Sequence, residues 1–329
     1  MAFTFKPAGN IGKEITRLGS EQIADAIGRL TGDGDLRSGV HEARKCLKRS
    51  RAVLALSQPA MPGKRFQRAD KRLRKIARNL ARARDAHAMM ETVEKLDGPS
   101  GRLPAADILR SEIGARVADV NRRLDGDTLS KIVDRLKKAQ DRFARLKLKN
   151  RWDTVEEGVT ETYRQARKGY RRACRTGEAE AFHEWRKPMQ RHWRQMQLFQ
   201  GLGDTAIAAR AEASQRLSQL LGDDHDLHML VEAVKAGKMK FAGGGEREAL
   251  LASCEAKLDA LREAARREGE LLFAPKPREF RAMFSNQVGR AQPDPAADEI
   301  PPAAQADATD EKASGGIPTQ PAPNGASGI

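Results

Sequence analysis

Apolar positions along this chain recur three and four residues apart, and no stretch of useful length alternates with a period of two. This is the pattern of amphipathic helices, and it leaves no segment for a sheet. Helices are predicted over residues 11–30, 41–57, 64–96, 104–123, 128–149, 154–175, 178–200, 205–236 and 246–272. Glycine and proline mark the breaks: Gly-Asp-Gly at 32–34, a Pro-rich stretch at 58–63, Gly-Pro-Ser-Gly at 98–101, Gly126, Gly177, Gly201 and a glycine triplet at 243–245. About four helical elements fall on either side of residue 150, which implies an antiparallel four-helix bundle in each half. The expected fold class is therefore all-α. Residues 292–329 hold no aromatic residue and are dominated by Pro, Ala, Gly, Asp and Ser. Such a segment cannot bury enough apolar surface to offset its ordering entropy, so a disordered tail is expected from 289 to 329. The helical domain is placed at 10–275, with halves at about 10–149 and 152–272.

The polar sides of these helices carry nearly one sign. In the 41–57 helix, His41, Arg44, Lys45, Lys48 and Arg51 lie opposite Ala43, Cys46, Leu47, Val53 and Leu54, with Arg49 beside them. In the next helix, Lys64, Arg68, Lys71, Arg72, Lys75 and Arg78 lie opposite Phe66, Leu73, Ile76 and Leu80. Lys131, Arg135, Lys138 and Arg142 repeat the arrangement, as do Arg164, Arg167, Lys168 and Arg171. A fifth stripe, His183, Arg186, Lys187, Arg191 and Arg194, faces away from Trp185, Met189, Met196 and Phe199. Like charges at i,i+4 repel by about 0.2–0.5 kcal/mol per pair, so a merely solvated helix face normally mixes signs. Uniform stripes on five helices point to a polyanion site.

Composition agrees. Over 329 residues the net charge is +15, with 39% hydrophobic, 32% charged and 5% aromatic residues. Residues 41–84 alone hold 15 Lys/Arg and 2 Asp/Glu, a local balance of +13. Nucleic acid, an acidic membrane surface and a phosphate polymer are the partner classes this admits. Cys46, Cys174 and Cys254 are far apart and form no C-x-x-C pair, which suits buried thiols of a reducing compartment. No run of 18 apolar residues and no signal-peptide core occurs, so no membrane association and a cytoplasmic location are expected. Arginine offers a planar fork for phosphate and lysine a mobile point charge, but neither reads a base unaided. Base stacking requires exposed aromatics. Trp185, Trp193, Tyr163 and Tyr170 lie on or beside apolar arcs, and no RRM, KH, zinc-finger or basic-zipper pattern is present. A ligand with phosphates and no bases is favoured, with sequence-independent nucleic-acid binding as the alternative.

The histidines leave choices open. His41 and His183 head basic faces, where each either donates to phosphate as an imidazolium or holds a neighbouring helix through a neutral hydrogen bond. His192 falls on an apolar arc. His225 and His228, beside Asp223, Asp224 and Asp226, resemble the His-Asp pair of metal-dependent phosphohydrolases at a spacing that could share a metal. The further ligands that class needs are not evident. No metal site, cofactor or catalytic residue is assigned, and no enzymatic activity is expected.

Two segments recur. His41-Glu-Ala-Arg-Lys answers to His183-Glu-Trp-Arg-Lys, and Arg84-Asp85-Ala-His87 to His225-Asp226-Leu-His228, at nearly constant offset and in the same order. An internal duplication with a pseudo-twofold arrangement is expected. With Tyr163-Arg164 and its following basic run, these motifs resemble the CHAD domain family, conserved histidine α-helical domains, over residues 10–275. The resemblance implies two four-helix bundles and a basic groove or pore that binds inorganic polyphosphate without catalysis. It also implies association with polyphosphate granules and with triphosphate-tunnel enzymes. Two positions depart from symmetry: Gln190 stands where the first half has Lys48, and Pro188 interrupts the second His-led helix, where a kink is expected.

Overall fold

In the computed structural model, which describes residues 3–6, 9–96, 104–123, 126–202, 205–239, 241 and 244–289 and all their side chains but 81–87, 104–106, 116, 120–123 and 289, every predicted helix is present. The order is α1 (Ile11–Thr31), α2 (Leu36–Leu56), a short 3-10 turn (Gln58–Ala60), α3 (Gly63–Asn79), α4 (Ala81–Leu96), α5 (Pro104–Arg123) and α6 (Gly126–Ala144). The second half holds α7 (Trp152–Thr176), α8 (Ala179–Phe199), α9 (Thr205–Lys235), α10 (Gly244–Phe273) and α11 (Pro277–Gly289). The described residues contain no strand. None of these helices is long and apolar enough to cross a membrane. Past α11, the expected tail lies outside the described residues, as do the side chains of Arg84, Asp85 and His87.

Local chemistry sets the ends. The Asn10 side chain accepts from the amide of Lys13 at 3.0 Å, and Asp35 from that of Ser38 at 3.0 Å, which caps α1 and α2. α7 stops at Gly177, whose φ of 68° is a left-handed cap and whose amide reaches Ala173 O at 2.9 Å. Three expectations need correction. The single run over 64–96 divides at Leu80, where ψ opens to −9° and the bond to Ile76 O stretches to 3.4 Å. The helix expected to reach 149 ends at Ala144, because the following chain turns back toward α1. There the Ile11 amide donates to Asn150 Oδ1 at 2.9 Å, and Gly12 presses on the Leu148 backbone. α11 was not expected. It buries Phe280, Phe284 and Val288 against Tyr163, Trp152 and Phe199. α8 runs through Pro188 as one helix.

Within each half the helices close a ring of neighbours: α1–α2–α3–α6 in the first, α7–α8–α9–α10 in the second. One core runs through both rings, from Ile15, Leu18 and Leu47 to Val159, Trp185 and Phe199. A separate core joins Val93 of α4 and Ile113 of α5 to Leu230 of α9 and Cys254 of α10. The rings meet where α2 packs on α7 and α8. Gly158 permits the approach, since a Cβ there would lie 2.3 Å from Leu56 O. The buried Gln195 side chain of α8 donates to Ala52 O of α2 at 3.1 Å. With their apolar sides committed to this joint, α2 and α8 turn their cationic sides toward a common space.

Candidate functional site

That space is a cleft of about 380 Å³. α2 contributes Lys48, Arg51 and Ala52; α3 contributes Asp70, Arg74 and Arg78; α8 contributes Arg186, Lys187, Gln190 and Arg191. Lys48 and Gln190, which the sequence repeat aligns, thus line one cleft. Arg44 is adjacent and ties α2 to the end of α3 by donating to Ala77 O at 3.1 Å.

The charges in the cleft are unequal. Arg51 holds Asp70 through two bonds of 2.8 and 3.2 Å. Burial alone would raise the Asp70 carboxyl, but Arg51, with Arg191 and Arg74 behind it, brings it below its ordinary value. Arg191, which reaches Gln165 Oε1 at 3.4 Å, is pushed down by burial and by its neighbours Arg51 and Arg74. Lys48 is strongly perturbed. Burial, then repulsion from Arg186, Arg44 and Arg194, lowers its ammonium to about 7, with Asp226 opposing. The cleft by itself therefore disfavours its own full charge, and an anion entering it relieves that repulsion.

His183 takes the neutral alternative. Its Nδ1 lies 2.9 Å from Nδ1 of His225, which fastens α8 to α9. One ring must donate and the other accept, so the bond needs at least one neutral imidazole. Burial and the adjacent Lys187 and Arg186 lower His183; burial and Arg186 bring His225 to about 3. His41 stands apart on the half-exposed start of α2, with Nε2 3.9 Å from Glu42 Oε1. His192 is buried beside Tyr163, Phe273 and Phe280. The Asp-His cluster is likewise occupied by structural contacts: Asp224 pairs with Arg262 at 2.8 Å, and His225 with His183. Among the described residues no three His, Cys, Asp or Glu side chains are grouped for a metal.

The remaining predicted residues separate into distinct places. Lys45 pairs with Glu42 at 2.9 Å, and Lys187 with Glu184 at the cleft edge. Arg49 and Arg194 turn inward: one guanidinium covers the Phe3 ring at 5.3 Å, the other the Trp193 ring at 3.8 Å while donating to Gln197. Arg68, Lys71 and Lys75 are exposed on α3. Arg72 and Arg142 meet in a second groove, between α3 and α6, of about 330 Å³. Arg164, Arg167, Lys168 and Arg171 line a third depression along α7, about 310 Å³, where Arg164 pairs with Glu161 and Arg167 donates to Phe273 O at 2.8 Å. Sequence reasoning missed Arg65 and Arg74, which lie at the two edges of the α3 stripe, and the role of Asp70 as the carboxylate inside a cationic cleft. The single acid in an otherwise basic helix was the available signal.

The CHAD domain family matches residues 19–235 of this chain. The fold is similar to the crystal structure of the CHAD domain from the plant Ricinus communis, with a TM-score of 0.54 at 17% identity, covering 80% of this chain and 94% of that one. No curated protein matches. With the His-led helices, the two rings and the family match in agreement, the chain belongs to the CHAD domain family.

Proposed function

We propose that this protein binds inorganic polyphosphate, without catalysis, in the cleft between α2, α3 and α8. One observation carries the reading: Lys48, Arg51, Arg74, Arg78, Arg186, Lys187 and Arg191 surround a single carboxylate, Asp70, which is already paired. A phosphate chain supplies closely spaced negative charge in a form that the guanidinium forks and the lysines can meet. The aromatic groups favour phosphate over nucleotide. Trp185 and Tyr163 are fully buried, and Arg194 covers one face of the half-buried Trp193 ring, so these rings make a poor platform for stacking bases. Residence at polyphosphate granules, and partnership with granule proteins or a triphosphate-tunnel enzyme, are the cellular settings that this binding fits.

The test is competition at physiological salt between long-chain polyphosphate and single- and double-stranded DNA and RNA. Polyphosphate is expected to displace the nucleic acids. Displacement in the other direction overturns the reading in favour of a sequence-independent nucleic-acid binder. Metal-dependent phosphate release lost in His225→Ala would instead make the protein an enzyme.

A further inference from the structure

We infer that α3 is a cationic bridge that leads one phosphate polymer out of the cleft, across the helix surface, and into the groove against α6. The inference rests on the polyphosphate reading for the identity of the polymer. Its geometry rests on α3 alone. Two separate recesses share this helix: Arg74 and Arg78 line the cleft, while Arg65 and Arg72 line the groove with Arg142 and Arg145. Taken at about 100° per residue, the cations follow one another around α3 as Arg65 and Arg72, Arg68 and Lys75, Lys71 and Arg78, and Arg74. They fill the outer half of the circumference without interruption. The opposite arc holds the buried Leu73 and Ile76.

Nothing on α3 neutralises this arc. Its single carboxylate, Asp70, is held by Arg51 at the cleft. Arg65, Arg68, Lys71, Arg72, Lys75 and Arg78 are all exposed and form no ion pair among the described residues. A helix face that only needed solvation would gain from acids at i,i+3 or i,i+4, as α1 does where Arg17 sits between Glu14 and Glu21. The path from Arg78 to Arg65 is about 20 Å along the axis, plus the turn around the helix. A chain of three phosphates cannot span that, so it occupies one recess. A long chain engages both recesses and the bridge, and the second engagement is intramolecular.

The bridge is tested with Arg68→Gln/Lys71→Gln/Lys75→Gln, checked for unchanged helicity and melting temperature, using tripolyphosphate and long-chain polyphosphate over a salt series. Wild type should bind the long chain at least tenfold more tightly per molecule than tripolyphosphate. The variant should lose about tenfold for the long chain and nothing for tripolyphosphate, and its log–log salt slope should fall by about 2, at about 0.7 per lost contact on a single strand. An unchanged long-chain affinity overturns the bridge, and so does an equal loss for both ligands. If wild type binds no polyphosphate yet binds oligothymidylate with the same length step, and the variant removes that step, the polyphosphate reading fails and the bridge stands. If neither polymer shows a length step, the bridge fails.

Discussion

The cleft and the groove lie on opposite flanks of α3, and both are rich in arginine, yet they are different kinds of site. The cleft is walled by three helices, contains a carboxylate, and depresses Lys48 toward neutrality. The groove has an apolar floor of Leu73, Ala139 and Phe143 under a rim of four exposed arginines. Partly desolvated charges interact strongly and are poorly screened by salt, whereas exposed ones act through a solvent that screens them within about 10 Å at 0.1 M. Equal numbers of cations therefore do not mean equal affinity. The cleft should set strength and pH response, and the groove reach and salt response.

The largest expected effect is from reversing charge in the cleft. Lys48→Glu/Arg186→Glu should weaken polyphosphate binding by at least about 100-fold, as losing a buried charge contact costs about 2–5 kcal/mol. Titration calorimetry and circular dichroism together check this. Retained affinity with an intact fold would move the site away from the cleft.

The pH response comes next. With Lys48 at about 7 among the protein's own groups, it is mostly neutral at pH 8, and a bound phosphate raises its proton affinity. Binding should then take up a proton and weaken as pH rises above 7, by up to about tenfold per pH unit. Calorimetry at pH 8 in two buffers of different ionisation heat measures the uptake, and Lys48→Met should abolish it. The same group affects the unliganded fold. Its folded value lies below the unfolded one, so the unfolded state binds more protons between pH 7 and 10.5, and stability contributed by Lys48 rises with pH across that window.

Smaller effects separate the groove from the cleft. Arg72→Gln/Arg142→Gln should cost several-fold in long-chain affinity at low salt and almost nothing at about 1 M, where the screening length is about 3 Å. A salt-independent loss would make the groove resemble the cleft. The smallest effect on binding is expected from His225→Ala, less than about twofold. That variant should still lose about 1–3 kcal/mol of stability by breaking the bond to His183. Both folded imidazoles lie below their unfolded value, so their contribution is present above pH 6.5 and is lost as pH falls toward 3. Thermal melts from pH 8 to 4, comparing His225→Ala with wild type, check the sign.

Much of the fold was legible because helix signals are local. The glycine at 177 and apolar spacing such as Trp185, Met189, Met196 and Phe199 need only a few neighbouring residues to be read, whereas the Asp35 cap, which starts α2 at Leu36 and not at 41, was passed over. α11 escaped although Phe280, Phe284 and Val288 stand at helical spacing, because one short apolar stripe beside a Pro-rich tail shows no partner until Tyr163 and Phe199 are brought to it. The division at Leu80 left no proline or glycine to mark it.

For the site, the sequence by itself determined which helices carry cations and on which side, since amphipathic periodicity follows from 3.6 residues per turn. Only the tertiary structure decided which of those cations act together. It withdrew Arg49 and Arg194 to aromatic rings, tied Arg51 to Asp70, joined His183 to His225, and parted Arg72 and Arg142 from the cleft. Proton affinity and ligand reach depend on distance and desolvation among side chains far apart in the chain. Lys48 and Arg186 meet across the joint of two helical rings, and no pattern within either helix records that they do.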